Sequence, residues 1–268
     1  MMRWIALFDS GVGGLSVWRE VAQELPGLPL LYLADQAHCP YGVRPQAEIR
    51  RIAQEIVRWL IAQGAGVVVV ACNTASAAAL YHLRERFTIP IVGMEPAVKP
   101  AVSRTRSGRV GVLATPGTFQ GEPYARLLAR YAHGVEVIAQ PCPGWVEHVE
   151  DGCLGGPETM ALVARYVRPL CDAGVDELVL GCTHYAFLRP WIEQVAGPGV
   201  DVIDPAPAVA RQTRRVWEAL GAAVDEERPT YRFVTTGDPP RFRAQLRRLI
   251  GWDGPVETAQ WREGTLIG

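Results

Sequence analysis

The sequence predicts an α/β protein of two domains, each a mostly parallel sheet flanked by helices, with the active site in the inter-domain cleft. Three observations carry this reading. Short apolar runs alternate with helically spaced stretches from the first residues onward. The same grammar restarts after Glu95 to Gly108, a stretch richer in Pro, Ser and Arg. Two of the apolar runs end in related tripeptides, Cys72-Asn73-Thr74 and Cys182-Thr183-His184, whose cysteines lie 110 residues apart, a sign of duplicated architecture.

Trp4 to Phe8 reads as a buried strand, followed by a glycine-rich turn and a helix with Leu15, Trp18, Val21, Ala22 and Leu25 along one face. Pro29 to Ala34 is a second strand ending in Asp35. The loop Asp35 to Pro45 is of the kind that more often covers a site than holds a core. Ile49, Ile52, Ile56, Leu60 and Ile61 then recur at helical spacing and are expected to face inward. Val67 to Ala71, four valines and an alanine, suits a parallel strand covered on both faces, and an alanine-rich helix and a strand Ile89 to Gly93 follow. The second domain has strands at Arg109 to Leu113, Val135 to Ala139 and Glu177 to Gly181. A short strand ending at Asp204, a helix through about Leu220, a strand Tyr231 to Thr235 and a further helix form a tail expected to pack back on the first domain. The division expected is therefore 1–96 with 209–268, and 97–208.

Of the 268 residues 49% are apolar and 21% charged, with a formal net charge of −1, which argues against disorder and against a general electrostatic grip on nucleic acid. No run of about 18 apolar residues occurs, and Asp9 interrupts the first apolar stretch too early for a signal peptide. A soluble, cytoplasmic protein without membrane or nucleic-acid partners is expected. The six cysteines form no CxxC pair and are too sparse to staple a small secreted fold, so they read as thiols. Lys99 is the only lysine, and any pyridoxal Schiff base would have to use it.

In open parallel sheets ligands sit beyond the carboxyl ends of the strands. Asp9 and Ser10, Cys72 to Thr74, Thr115 to Thr118, and Cys182 to His184 all follow apolar runs, so two facing domains would bring them into one cleft. Asp9-Ser10-Gly11-Val12-Gly13-Gly14 lets backbone N–H groups approach an anion, yet it is neither GxGxxG nor a P-loop, and a small carboxylate suits it as well as a phosphate. Taken singly, Cys72 and Cys182 read as packed thiols. Both, however, stand where a strand meets a helix N-terminus, a setting that lowers a thiol pKa from about 8.5. Two such thiols on opposite faces of a substrate can take a proton from one side of a carbon and return one to the other, inverting a stereocentre. Cys182 and His184, with Cys72, also offer zinc-ligand chemistry, but their spacing matches no structural zinc pattern and no metal is expected. Cys39, Cys142, Cys153 and Cys171 read as packing or incidental thiols. Glu150, after the helically spaced Trp145 to Val149, reads on pattern alone as a solvated helix charge.

Asp-Ser-Gly-Val-Gly-Gly-Leu-Ser-Val at 9–17, Pro-Tyr-Gly at 40–42, Ala-Cys-Asn-Thr-Ala-Ser at 71–76 and Gly-Cys-Thr-His-Tyr at 181–185 together resemble the glutamate racemases of the aspartate/glutamate racemase superfamily. The resemblance runs from Ile5 to about Ala210. It implies a cofactor-independent homodimer of two pseudo-symmetric α/β domains that converts L-glutamate to the D-glutamate used in peptidoglycan. It further implies that Cys72 exchanges the α-proton with the D-enantiomer and Cys182 with the L-enantiomer. Asp9 matches the helper of the first thiol and His184 that of the second, while Glu150 keeps the register of a catalytic acidic residue. Asp9, Ser10, Tyr41, Gly42, Asn73, Thr74, Thr183 and His184 match glutamate-binding positions, with Thr118 a further addition.

The sequence departs from the family pattern at Cys142 to Glu150, where Glu147 and His148 stand in a stretch that is usually apolar before Val-Glu. The chain also starts a residue or so before its first strand, so activation by a cell-wall precursor is not expected. Within the same class, a racemase of aspartate or another acidic amino acid is the alternative. A dicarboxylate-binding module would keep Ser10, Asn73 and Thr183 but have no use for paired thiols. A thiol–disulfide oxidoreductase needs cysteine Cα atoms about 4.4–6.8 Å apart, which leaves no room for a substrate between them.

Overall fold

The structure is a computed structural model that describes residues 3–120, 122–221 and 230–268. Strand β1 (Trp4–Asp9) is buried throughout and turns through its glycines into α1 (Leu15–Glu24). After β2 (Leu30–Ala34), two short 3-10 turns at Gln36–His38 and Tyr41–Val43 lead to α2 (Gln46–Ala62), β3 (Ala65–Val70), α3 (Asn73–Arg86) and the two-residue β4 (Ile91–Val92). Helix α4 (Val98–Arg104) opens the next half, followed by β5 (Arg109–Ala114), α5 (Pro116–Phe119), α6 (Glu122–Tyr131) and β6 (Glu136–Pro141). Then come α7 (Trp145–Glu150), α8 (Pro157–Asp172), β7 (Glu177–Gly181), a 3-10 turn Thr183–Leu188, α9 (Arg189–Ala196) and β8 (Asp201–Ile203). The tail contributes α10 (Ala206–Ala219), β9 (Tyr231–Thr235), α11 (Pro239–Ile250), β10 (Glu257–Thr258), and the strands β11 (Gln260–Arg262) and β12 (Thr265–Ile267).

Among the described residues the strands form a sheet of order β10-β9-β2-β1-β3-β4, a second of order β6-β5-β7-β8, and the antiparallel hairpin β11–β12. Every pairing in the two larger sheets is parallel. The order β2-β1-β3-β4 is repeated as β6-β5-β7-β8, so the duplication legible in the cysteine motifs extends to the topology. Burial explains the strand sequences. Along β1, Ile5 and Leu7 enter one apolar layer while Trp4, Ala6 and Phe8 enter the other, as side chains alternating across a sheet covered on both faces must. The layer holding Ile5 and Leu7 continues through Leu113, Trp145, Leu178 and Tyr185 of the second sheet and its helices, so one apolar body spans both halves.

The tail is built into the first sheet, with β9 pairing along β2 from Leu30↔Tyr231 to Ala34↔Thr235. Its helix α11 carries local signals at both ends. Asp238 caps the first turn by accepting from the Arg241 N–H, Pro239 follows it, and Gly251 takes the left-handed conformation that ends the helix.

Two expectations are corrected. Ile61 is 39% exposed, because the inward stripe of α2 runs Ile49, Ile52, Ile56, Leu60 and the next residue lies about 100° around the helix. The stretch Glu95 to Gly108 contains α4, whose Val98 and Ala101 pack in the second half. The strand placed at Ile89 to Gly93 shrinks to two residues. Among the described residues no helix is long and apolar enough to cross a membrane.

Phe233 of β9 is fully buried, with ring centroids 5.0 Å from Trp18, 6.3 Å from Tyr32 and 5.1 Å from Trp252. Phe233→Ala is expected to lower the unfolding free energy by about 3–5 kcal/mol in urea titration. A loss below about 1 kcal/mol would mean that the tail is an appendage and not part of the core.

Candidate active site

The strand order fixes where a site can form. In the first sheet the chain leaves β1 to one side for β2 and returns to the other side for β3, and in the second it does the same about β5 with β6 and β7. The carboxyl ends of β1 and β3, and of β5 and β7, are therefore topological switch points. Asp9 ends β1 and Cys72 follows β3, while Thr115 follows β5 and Cys182 follows β7. The two cysteines occupy equivalent places with similar extended backbones, φ −138° at Cys72 and −147° at Cys182.

The two halves exchange carboxylates across the cleft. Asp9, fully buried, accepts from the Gly11 N–H at 2.8 Å and the Ser10 hydroxyl at 3.3 Å, and its other oxygen accepts from Thr183 Oγ1 of the second half at 3.0 Å. In return Glu150, at the end of α7, accepts from the Val12 N–H of the first half at 2.7 Å. It also bonds His184 Nε2 at 2.7 Å and accepts from Gln36 Nε2 at 3.1 Å, while its main-chain oxygen accepts from Gln245 Nε2 at 2.6 Å. The far side of the His184 ring faces Cys182 Sγ, 3.8 Å from Nδ1. Carboxylate, imidazole and thiol thus stand in line, the arrangement in which a carboxylate orients a base beside a nucleophile or acid.

The glycines of the 9–14 turn are required by this contact. A Cβ at Gly11 would overlap Glu150 Oε1, and one at Gly13 would overlap His184 Nδ1 and Thr183 Oγ1. The anion that the turn cradles is thus the protein's own Glu150, which sets aside the phosphate reading. Tyr32, buried under the turn, donates to the Gly11 carbonyl at 2.7 Å.

Charge states follow from these contacts. Burial raises the Asp9 carboxyl to about 6 against the opposing effects of His184, the Gly11 N–H and Thr183. Glu150 behaves in the opposite way. Burial pushes it up, but the His184 hydrogen bond and charge, the Val12 N–H and Gln36 outweigh that and hold it below the usual carboxylate range. For His184 burial opposes the charged ring, yet the contacts with Cys182, Cys39 and Glu150 keep its pKa well above the ordinary value. At Cys72 the expectation of a lowered thiol pKa is corrected. Sγ does accept from the Ala75 N–H at 3.4 Å, at the start of α3, but burial and the neighbouring Asp9 charge outweigh that help and push the thiol up.

The remaining sequence-predicted residues divide into two groups. Thr74 lies on α3 and Thr118 on α5, and with Thr115 they form a triangle of hydroxyls at 2.8, 3.2 and 3.1 Å that joins the two halves. Asn73, next to Cys72, is buried, and neither of its amide atoms has a partner among the described residues. A buried amide left unpaired is costly, and a polar ligand beside Cys72 would satisfy it. Tyr41 and Gly42 behave differently. The Tyr41 hydroxyl donates to Asp35 at 2.7 Å, so it is committed away from the thiols, while Gly42 packs against Thr115, where a Cβ would come within 2.7 Å of the threonine Cβ.

Glu150 is the clearest failure of pattern reading. It is buried and bonded to five residues, His184 among them, and is not a solvated helix charge. Cys39, read as an incidental thiol, contacts His184 and has its pKa raised to about 11 by burial. Cys39, Glu150 and His184 bring potential ligand atoms within 4.8 Å of one another, a different set from the Cys72, Cys182 and His184 grouping weighed from sequence. A cation there would have to displace the His184–Glu150 hydrogen bond. Lys99 is exposed on α4, its ammonium 5.6 Å from the Tyr131 ring centroid. Gln36 and Gln245 carry no sequence signal for their places beside Glu150.

Residues 12–213 match the Asp/Glu/Hydantoin racemase family. The chain is 55% identical over 250 residues to the glutamate racemase of Roseiflexus sp. (strain RS-1), covering 92% of each chain. It is similar in structure to a glutamate racemase isoform from Bacillus anthracis, with TM-score 0.88, 32% identity and 98% of each chain covered. It is similar also to the Escherichia coli glutamate racemase solved with L-glutamate and the activator UDP-MurNAc-ala, with TM-score 0.87, 32% identity and 100% of each chain covered.

An ionised Asp9 is a stability cost above about pH 6, since its carboxyl is raised in the folded state. As pH falls through 6 the folded protein takes up a proton that the unfolded chain does not bind until about pH 4, so the cost is relieved. Asp9→Asn is therefore expected to stabilise the fold by about 1–3 kcal/mol at pH 8, with the gain shrinking towards pH 5. Urea unfolding at both pH values checks this, and a gain independent of pH would contradict the raised carboxyl.

Proposed function

The chain belongs to the Asp/Glu/Hydantoin racemase family and is an amino-acid racemase acting on glutamate, and we propose that it inverts the α-carbon with two thiols and two separate proton partners. The observation that carries this mechanism is the pair Cys72 and Cys182 at equivalent switch points, each beside its own acid–base group. One thiolate removes the α-proton from one face and the opposite thiol donates from the other. Cys72 serves the D-enantiomer with Asp9 as its proton partner. Cys182 serves the L-enantiomer with His184, which Glu150 orients. Asp9, Ser10, Tyr41, Gly42, Asn73, Thr74, Thr118, Thr183 and His184 form the walls that hold the two carboxylates and the ammonium.

No cofactor enters this reading, since the acid–base work is assigned to the protein's own groups. The product D-glutamate supplies peptidoglycan synthesis, and the working form is a cytoplasmic homodimer. The domains divide at 96/97 and 208/209, supported by α4 packing on β5 and β7 and by α10 packing on α1. Aspartate and other acidic amino acids are the competing substrates. A panel of L-amino acids, each incubated and resolved by chiral chromatography, tests the choice, and turnover of aspartate in preference to glutamate would reverse it.

Cys72→Ala and Cys182→Ala are each expected to abolish racemisation in both directions, by at least about a thousandfold, because either direction needs both thiols. Both variants should still melt cooperatively. In deuterium oxide, D-glutamate formed early from L-glutamate should carry deuterium at Cα while the remaining L-glutamate keeps protium. Substantial protium in the early product, read by mass spectrometry, would mean one base serving both faces. With Asp9 raised to about 6 and needed as carboxylate, kcat/KM should fall as pH drops through about 6, an apparent value belonging to the coupled groups.

A further inference from the structure

Asp35, which follows β2 as Asp9 follows β1, is a fully buried carboxylate outside the proton-transfer machinery. It is saturated by donors of two kinds. From its own loop, His38 Nδ1 lies 2.9 Å and the Tyr41 hydroxyl 2.7 Å from Oδ2. From the tail, Thr236 Oγ1 donates to Oδ1 at 2.8 Å and Trp261 Nε1 at 2.7 Å. The His38 ring also stands edge-on to the Trp261 ring, with centroids 4.9 Å apart and planes at 80°. On the opposite side the same loop presses Gly42 on Thr115, and a Cβ at Gly117 would lie 3.0 Å from the Gly42 carbonyl oxygen. The segment carrying Tyr41 and Gly42 is thus wedged between the tail and the second half, with Asp35 as its anchor.

We propose that Trp261, in the hairpin of β11 and β12, is a positioning residue for substrate binding: its indole N–H fixes Asp35, and through Asp35 it holds the Tyr41–Gly42 loop in its binding position. This rests on the reading of Tyr41 and Gly42 as part of the glutamate site. Charge-assisted hydrogen bonds to a buried carboxylate are strong and directional, so removing one donor loosens the group that the others share. The effect falls on binding and not on proton transfer, because the Asp35 carboxylate and the Trp261 indole bond neither thiol nor the side chains of its partners, Asp35 meeting Asp9 only through the main chain, where its N–H donates to the Asp9 carbonyl at 2.9 Å. Ground state and transition state then lose the same stabilisation, which raises KM and leaves kcat in place.

The test is Trp261→Phe, which keeps a ring against His38 and deletes the donor, together with Thr236→Val, which deletes the other donor from the tail. Steady-state kinetics are measured in both directions. KM for L- and for D-glutamate should rise about three- to tenfold in each variant, with kcat within about twofold. Because the two enantiomers are equal in energy, kcat/KM must fall by the same factor in both directions. Circular dichroism establishes that each variant is folded, and if Trp261→Phe is not, Thr236→Val decides. Unchanged KM in the folded variants, or a fall in kcat at unchanged KM, overturns the proposal while leaving the racemase reading intact. A wild-type enzyme without glutamate turnover would overturn that reading and this inference together.

Discussion

The site depends on a reciprocal exchange of hydrogen bonds between its two halves, Thr183 to Asp9 in one direction and Val12 to Glu150 in the other. Each carboxylate is pulled from water to meet a donor of the opposite half, and the differing supply of donors separates their protonation. Glu150 is surrounded by a main-chain N–H, a glutamine and an imidazole, and stays charged. Asp9 has fewer compensating groups for its complete burial and is left near the pH at which a proton can be gained or lost. Similar residues in adjacent places thereby acquire different protonation behaviour, Glu150 held charged against His184 and Asp9 raised to about 6.

Duplication of the strand order gives the two thiols equivalent addresses, but the titratable groups beside them are not duplicated. Where β1 ends in Asp9, β5 is followed by Thr115, whose hydroxyl bonds Thr74 and Thr118 and serves the junction between halves. Beside the second thiol stands instead the imidazole two residues further along its own turn, held by Glu150 of α7. A carboxylate on one side and an imidazolium–carboxylate pair on the other give a near-symmetric scaffold an asymmetric set of acids and bases. The difference is suited to two faces of a chiral carbon, which are themselves not superimposable.

Much of this is legible in the sequence because the polar groups gathered at the cleft come in short contiguous motifs at strand ends. Asp9 and Ser10, Cys72 to Thr74, and Cys182 to His184 each announce themselves by an apolar run giving way to polar residues. What could not be read were the supports that arrive from far along the chain. Helical periodicity describes only what α7 does to itself, so Glu150 looked solvated although residue 12 and the tail bury it. Gln36, Gln245 and the Asp35 anchor are joined by contacts spanning roughly a hundred or more residues, and the strands β10 to β12 are too short for alternation to register. Ile61 shows the converse error, an apolar residue taken into the inward stripe at helical spacing when the helix had already turned past it.

Both thiols are almost sealed, Cys72 at 5% and Cys182 at 7% exposure, whereas Cys153 is open to solvent. Alkylation of the buried pair by a small electrophile requires the structure around them to open, so its rate is a clock for that breathing, with Cys153 as the unshielded reference in the same molecule. The sealing also carries a chemical benefit. Oxidants meet the exposed Cys153 before the two buried sulfurs.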